Sequence, residues 1–358
     1  MTAPRKIKWL IAHHPEYLFV RTAELFRNLL NKFCPGQFEL EILTTQQYVE
    51  KYDRLHVLGS CGPVTALDSA YTGSQFQKPS KTWAEHNSQK WPALFEALKD
   101  GEFDLSQTQI SVIGGSILRD FAALDLPFLF NDHDHVSRVL DHEIGDNLCK
   151  KLADKTGIRG LAFTYSGGYR IVGGNQGVAS LTDLAGVPML TQSVFASKLF
   201  SDVGATTLTT MASDESDLQN LSATPNAMVE TTYLRFKGKN ILKTNHSMFL
   251  TSILTGEKFW NSLTNHQQTA FMTIAKIVAK TERTWSVEDA EKYETDAASR
   301  GISIVDISEE DAEQLKQSSK YVYDDIKSHN VKFVKPIPNE IDPEELSELV
   351  DLIKSKAN

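Results

Sequence analysis

LAFTYSGGYRIVGGNQGVASLTDLAGVPML, running from Leu161 to Leu190, holds three extended segments separated by glycine. Leu161, Phe163 and Tyr165 alternate with smaller residues, as in a half-buried strand, and Ser166-Gly167-Gly168 interrupts that run. Tyr169 to Val172 is a second extended piece, closed by Gly173-Gly174. A Leu-Thr-Asp-Leu-Ala-Gly turn leads to a third, Val187 to Leu190. Arg170 therefore stands on a short strand between two glycine breaks. A strand end beside glycine lets a side chain reach a cleft with little backbone in the way. The competing reading makes Arg170 an ordinary surface ion-pair residue.

Upstream, Ile7 to Ala12 reads as a continuous apolar strand buried on both faces, ended by His13-His14-Pro15. Leu18 to Phe33 is helical: Leu18, Ala23, Phe26, Leu29, Leu30 and Phe33 share one side, and Pro35-Gly36 stops it. Phe38 to Leu43 alternates as a second strand. A β-α-β opening predicts a parallel pair with a right-handed crossover. Tyr52 to Lys90 carries Gly, Ser, Pro, Lys and Gln with scattered Tyr71, Phe76 and Trp83, and reads as a surface excursion with little regular structure. Trp91 to Lys99 reads as a short helix. Phe103 to Val112 reads as a strand with Gln107 and Gln109 on one face, turned to solvent or to a cleft. In Asn131-Asp132-His133-Asp134-His135, the histidines could share a face of an extended chain and suggest a metal. The preferred reading is an Asn131 or Asp132 helix cap ahead of Val136, Val139, Leu140 and Ile144.

Downstream, a helix over 195–203, a strand over 207–211, a helix opening at Ser213 and a strand over 227–233 carrying Glu230 and Tyr233 follow. Residues 259–300 keep a helical pattern. At 1.5 Å per residue that is about 60 Å, so the helix bridges two lobes or kinks. A strand over 301–305, a helix capped by Ser308 and a separate acidic helix over 342–356 close the chain.

The 358 residues are 41% hydrophobic and 23% charged, with net charge -9, which suits a globular chain and disfavours nucleic acid as a partner. Three dispersed cysteines, Cys34, Cys61 and Cys149, suggest neither a disulfide framework nor zinc. No run approaches the ~20 apolar residues of a membrane span. The apolar run before His13 is too short for a secretory signal, so the protein is either cytoplasmic or a signal was replaced by the initiator Met. No GxGxxG, P-loop, GxSxG or HExxH occurs, no cofactor or metal is expected, and acids, bases and nucleophiles form no enzyme-like constellation.

The ordered set IKWLIAH, TAELF, FDLSQTQ, DLPFLF, HDHVSRVLDHEIG, SGGYR, DLAGV, VETTY and TNH, followed by a long helix and a GI strand, resembles the DctP-type substrate-binding proteins of TRAP transporters over roughly residues 6 to 325. The resemblance implies a two-lobed periplasmic-binding-protein-like α/β fold with hinge strands and a long helix spanning both lobes. It also implies capture of a small organic solute in an interlobe cleft for delivery to TRAP transporter membrane subunits, in the periplasm. The expected division is lobe I at 1–167 with a 52–90 insertion, lobe II at 168–246, shared returning segments at 247–325 and a tail at 326–358. In that family one Arg after a DLKGLKI-like turn holds the ligand carboxylate, and another in a GxR element helps. Arg170 matches the second, whereas the first falls on Leu190. Glu230 or its neighbour matches a strand position near the ligand, and it could instead pair with Arg170. His13, His14, Gln107, Gln109, Gln192 and Tyr233 are further candidates. With Leu190 in place of Arg, a zwitterionic, polyol-like or otherwise atypical solute is expected rather than a plain dicarboxylate. A soluble ligand sensor or partner-binding protein, using 52–90 and the acidic tail as docking surfaces, is the alternative.

Overall fold

The computed structural model describes residues 3–12, 16–52, 93–173, 177–191, 193–209, 224–227, 239–331, 333 and 336–357. The surface excursion expected after Tyr52 lies outside them up to residue 92, as do the helix at Ser213 and residues 228–233. The opening unit is as expected. Strand β1 (Arg5–Ile11) leads through helix α1 (Glu16–Phe33) to β2 (Phe38–Thr44), parallel to β1 from Arg5↔Phe38 to Ile11↔Thr44. Helix α2 (Thr45–Tyr52) follows, and residues 93–100 form α3. Strand β3 is shorter than expected, Leu105–Gln109, and all of it is buried. Helix α4 (Ile110–Ser116) takes over where the strand was expected to continue.

Two helices occupy the periodic run after the His cluster. Asp132 caps α5 (His133–Leu140) by accepting from the His135 amide, and α6 (Glu143–Thr156) ends on Gly157 at φ 74°. Left-handed φ is the conformation glycine supplies without a Cβ clash.

The central departure is β4 (Ile158–Gly173), a single strand of 16 residues where the glycines had suggested two. Its first half runs antiparallel to β9 (Met248–Gly256), from Ile158↔Gly256 to Tyr165↔Leu250. The register then slips, so that Tyr169 pairs with Met248. Four residues on β4 thus advance against two on β9, and Gly167 and Gly168 absorb the bulge at φ 93° and 77°. The glycines bend the strand without ending it. Beyond the bulge β4 changes partners, pairing with β7 (Thr224–Ala227) from Arg170↔Ala227 and with β8 (Asn240–Lys243) at Val172↔Leu242. One strand therefore belongs to two sheets.

Each sheet has its own core. Beside the first, Trp9, Phe26, Phe38 and Phe271 meet edge to face, with centroids 5.3–5.5 Å apart. Beside the second, Val172, Leu184, Met189, Leu199, Phe200 and Leu242 pack together. Parallel strands β5 (Pro188–Thr191) and β6 (Thr206–Thr209), with helix α7 (Val194–Asp202) between them, belong to this half. After a short α8 (Glu257–Trp260) and a break, helix α9 (Asn265–Ala297) runs 33 residues, about 50 Å. Phe271, Ile274 and Val278 pack in the first core, while Ala290 and Tyr293 lie against Ile171 and Ile241 of the second sheet. Strand β10 (Ser303–Asp306), parallel to β8, leads to α10 (Glu309–Lys327), whose Leu315 joins the second core and whose Val322 and Ile326 join the large cluster of the first half.

Helix α11 (Pro343–Lys354) is amphipathic, but it is not separate. Leu346, Val350 and Ile353 are buried with Phe121, Leu140 and Leu148, and Arg119 holds Glu340 through Nε and Nη2 at 2.8 and 3.0 Å. The apolar face that could have met a partner is spent on the chain's own core.

Candidate functional site

Arg170 follows the bulge of β4. Its amide donates to Ser247 O at 2.8 Å, so both its backbone and its side chain are held. The guanidinium carbon stands 3.7 Å from the Phe249 ring centroid, and Nη2 is 3.6 Å from Asp125 Oδ1. The two side chains are 4% and 5% exposed, which overturns the surface ion-pair reading. Burial over an aromatic face strengthens cation–π attraction and weakens screening. The acid facing Arg170 among the described residues is Asp125, which nothing in the pattern of DLPFLF singles out.

Asp125 ends a 3-10 turn (Arg119–Asp125), and Pro127 follows closely enough to prevent a longer helix. Burial pushes the Asp125 carboxyl above its ordinary range, opposed by Arg170 and the Ser193 hydroxyl. Its Oδ2 has no hydrogen-bond partner among the described residues. Phe128 adopts a left-handed φ of 54° and donates its amide to His246 O at 2.7 Å, tying this turn to the start of β9.

His246 is fully buried, with Nδ1 2.8 Å from Thr244 Oγ1 and its ring edge-on to Phe200 at 4.9 Å. Burial, then the charge of Arg170, lowers its pKa to about 3, so it is neutral at physiological pH. Among the described residues, the ionisable groups that face one another at this junction are the Arg170 guanidinium and the Asp125 carboxyl.

A second polar group underlies the bulge. Glu282 and Ser286 of α9 accept the Tyr165 and Gly167 amides at 2.8 and 2.5 Å, two donors next to the register slip. Gln107 donates Nε2 to Thr164 Oγ1 and Thr251 Oγ1 at 2.8 and 3.1 Å, which commits that end of its amide to β4 and β9. Burial raises the Glu282 pKa to about 8 against the Tyr165 amide, Arg283, Arg21 and Gln107.

Gln109 is buried at the end of β3. Leu190 lies in β5 opposite Leu208, which places its backbone alone. His13, His14, Gln192, Glu230 and Tyr233 lie outside the described residues. The two histidines weighed as metal ligands are engaged otherwise. His133 Nδ1 is 3.0 Å from Tyr165 OH; His135 Nδ1 accepts the Asn131 amide at 3.2 Å, and its Nε2 is 2.9 Å from Ile353 O. Among the described residues no group of three or more His, Cys, Asp or Glu is placed to hold a metal, and no helix is long and apolar enough to cross a membrane.

A strand shared by two sheets and a helix running past both cores define a two-lobed α/β protein. The chain belongs to the bacterial extracellular solute-binding protein family 7, DctP, whose pattern matches residues 87–215 and 223–330. It is 26% identical over 195 residues to an uncharacterized protein of Haemophilus influenzae, covering 51% of this chain and 57% of that one. It is 34% identical over 98 residues to the C4-dicarboxylate-binding periplasmic protein DctP of Rhodobacter capsulatus, covering 27% and 29%. The chain thus spans little more than half of the first relative and under a third of the second. Solved structures agree over the whole fold. The sugar acid binding protein of Advenella mimigardefordensis, in complex with galactonate, superposes with TM-score 0.74 at 17% identity over 100% of both chains. A TRAP periplasmic solute binding protein of Shewanella oneidensis with bound succinate gives 0.72 at 16% identity, over 99% of this chain and 100% of that one. This is a family of binding proteins, not of enzymes.

Proposed function

We propose that the chain is an extracytoplasmic solute-binding protein that captures a small organic solute, carboxylate-bearing or zwitterionic, between its lobes and hands it to the membrane subunits of a TRAP-type transporter. The observation that carries this reading is the buried Arg170 guanidinium, held over Phe249 beside the point where β4 passes from one sheet to the other. A fixed guanidinium offers two parallel N–H donors to a carboxylate, with charge-assisted bonds about twice as strong as neutral ones. Lobes joined by strands close around what lies between them. The relatives described as periplasmic support the same compartment here, and the lobes divide at 167/168, with 247–325 returning through both. Native mass spectrometry of the purified protein, with thermal-shift titration against organic acids, amino acids and polyols, tests the reading. A co-purified or stabilising small acid supports it. No bound species and no shift across the panel, for wild type alone, would remove it.

A further inference from the structure

Among the described residues, the polar groups buried around Arg170 leave one acceptor without a donor. Asp125 Oδ1 is 3.6 Å from Nη2, long for a hydrogen bond, and Oδ2 finds no partner among the described residues although the residue is only 6% exposed. A buried carboxylate oxygen without a donor is costly, and native proteins rarely leave one unless something else supplies the proton. Arg170 alongside it carries five N–H donors and no acceptor. An arriving solute therefore meets an acceptor lacking a donor next to a fork of donors. Neutral His246 adds no second cation. We propose that Asp125 determines which solutes the site accepts: carboxylates bearing a hydroxyl or ammonium on the adjacent carbon, with the carboxylate on Arg170 and the donor on Asp125 Oδ2. This rests on Arg170 being the solute contact. Any carboxylate on Arg170 lies beside Asp125, but a plain mono- or dicarboxylate brings no donor and leaves the Asp125 oxygen unpaired, whereas a hydroxyl or ammonium on the adjacent carbon supplies one.

The test compares matched pairs by calorimetry: malate with succinate, 2-hydroxybutanoate and 2-aminobutanoate with butanoate, and a six-carbon sugar acid with its 2-deoxy counterpart. Wild type is expected to bind the donor-bearing member at least tenfold more tightly, and Asp125→Asn and Asp125→Ala to bring that ratio close to one. Asp125→Asn preserves size and guards against a folding failure in the alanine variant, with circular dichroism checking both. An unchanged ratio in the variants, or equal binding of succinate and malate by wild type, overturns the proposal and leaves the solute-binding function intact. Failure of wild type to bind any carboxylate in the panel overturns both.

Discussion

Replacing Glu282 by Gln should flatten the pH dependence of stability above neutrality. Glu282 is fully buried under the β4 bulge, and its Oε2 accepts the Tyr165 amide. Its Oε1 lacks a partner among the described residues, as does the Gln107 Oε1. Burial raises the Glu282 pKa to about 8 from an ordinary value near 4.5, so the folded carboxyl keeps its proton at neutral pH. The folded state then holds a proton that the unfolded state releases. The stabilising contribution is complete below about pH 4.5 and is lost as pH rises through 8, at roughly 1.4 kcal/mol per pH unit. His246 acts in the opposite sense. Its pKa falls to about 3 on folding, so its contribution is complete above about pH 6.5 and is lost on acidification toward 3. The two slopes oppose one another between about pH 4.5 and 6.5. The window from 6.5 to 8 isolates Glu282, where about 2 kcal/mol should disappear from wild type. Glu282→Gln retains an acceptor for the Tyr165 amide but cannot ionise. Urea unfolding at half-unit steps from pH 6.5 to 8.5 should show the wild-type free energy falling and the variant holding level, with a crossover in the variant's favour near pH 8. Parallel curves would refute the reasoning and return Glu282 to the ionised state.

Arg170→Met should abolish binding of acids and destabilise by about 3–5 kcal/mol, because Asp125 is left as an uncompensated buried charge; additional substitution Asp125→Asn should recover much of the stability in thermal denaturation but none of the binding. Gly168→Ala should cost about 1–2 kcal/mol in chemical denaturation, since φ is 77° and the added Cβ would meet the nearest side-chain atom, His133 Cε1, at an ordinary 3.5 Å, leaving backbone strain as the cause. Ile353→Ala, removing a fully buried side chain of α11, should cost about 2–5 kcal/mol, and a near-zero loss would show that the tail is not part of the core.

Much of the chain is determined by local pattern. The β-α-β opening, the Asp132 cap, the Ser308 cap and the long apolar stripe of α9 follow from strand periodicity, capping chemistry and helical spacing, all of which act within a few residues. Arg170 stood out for the same reason, between glycines whose spacing is local. The tertiary structure decided what those glycines do. Gly167 and Gly168 are equally compatible with a chain break and a bulge, and it is the pairing of β4 with β9 on one side and with β7 and β8 on the other that makes them a bend in one strand. It also decided the partners of the charged groups. Asp125 and Arg170 are 45 positions apart in sequence, Gln107 and Thr251 are 144 apart, and Tyr165 and Glu282 are 117 apart. Nothing in hydropathy or spacing relates such residues. The tail shows the same limit: its amphipathic pattern specified a helix with an apolar face, but only the packing of Leu346, Val350 and Ile353 against Phe121 and Leu148 shows that the chain covers that face itself. Local sequence sets which elements form because propensity and periodicity are short-range. Which buried charges meet depends on how distant elements pack, since only their juxtaposition removes both groups from water.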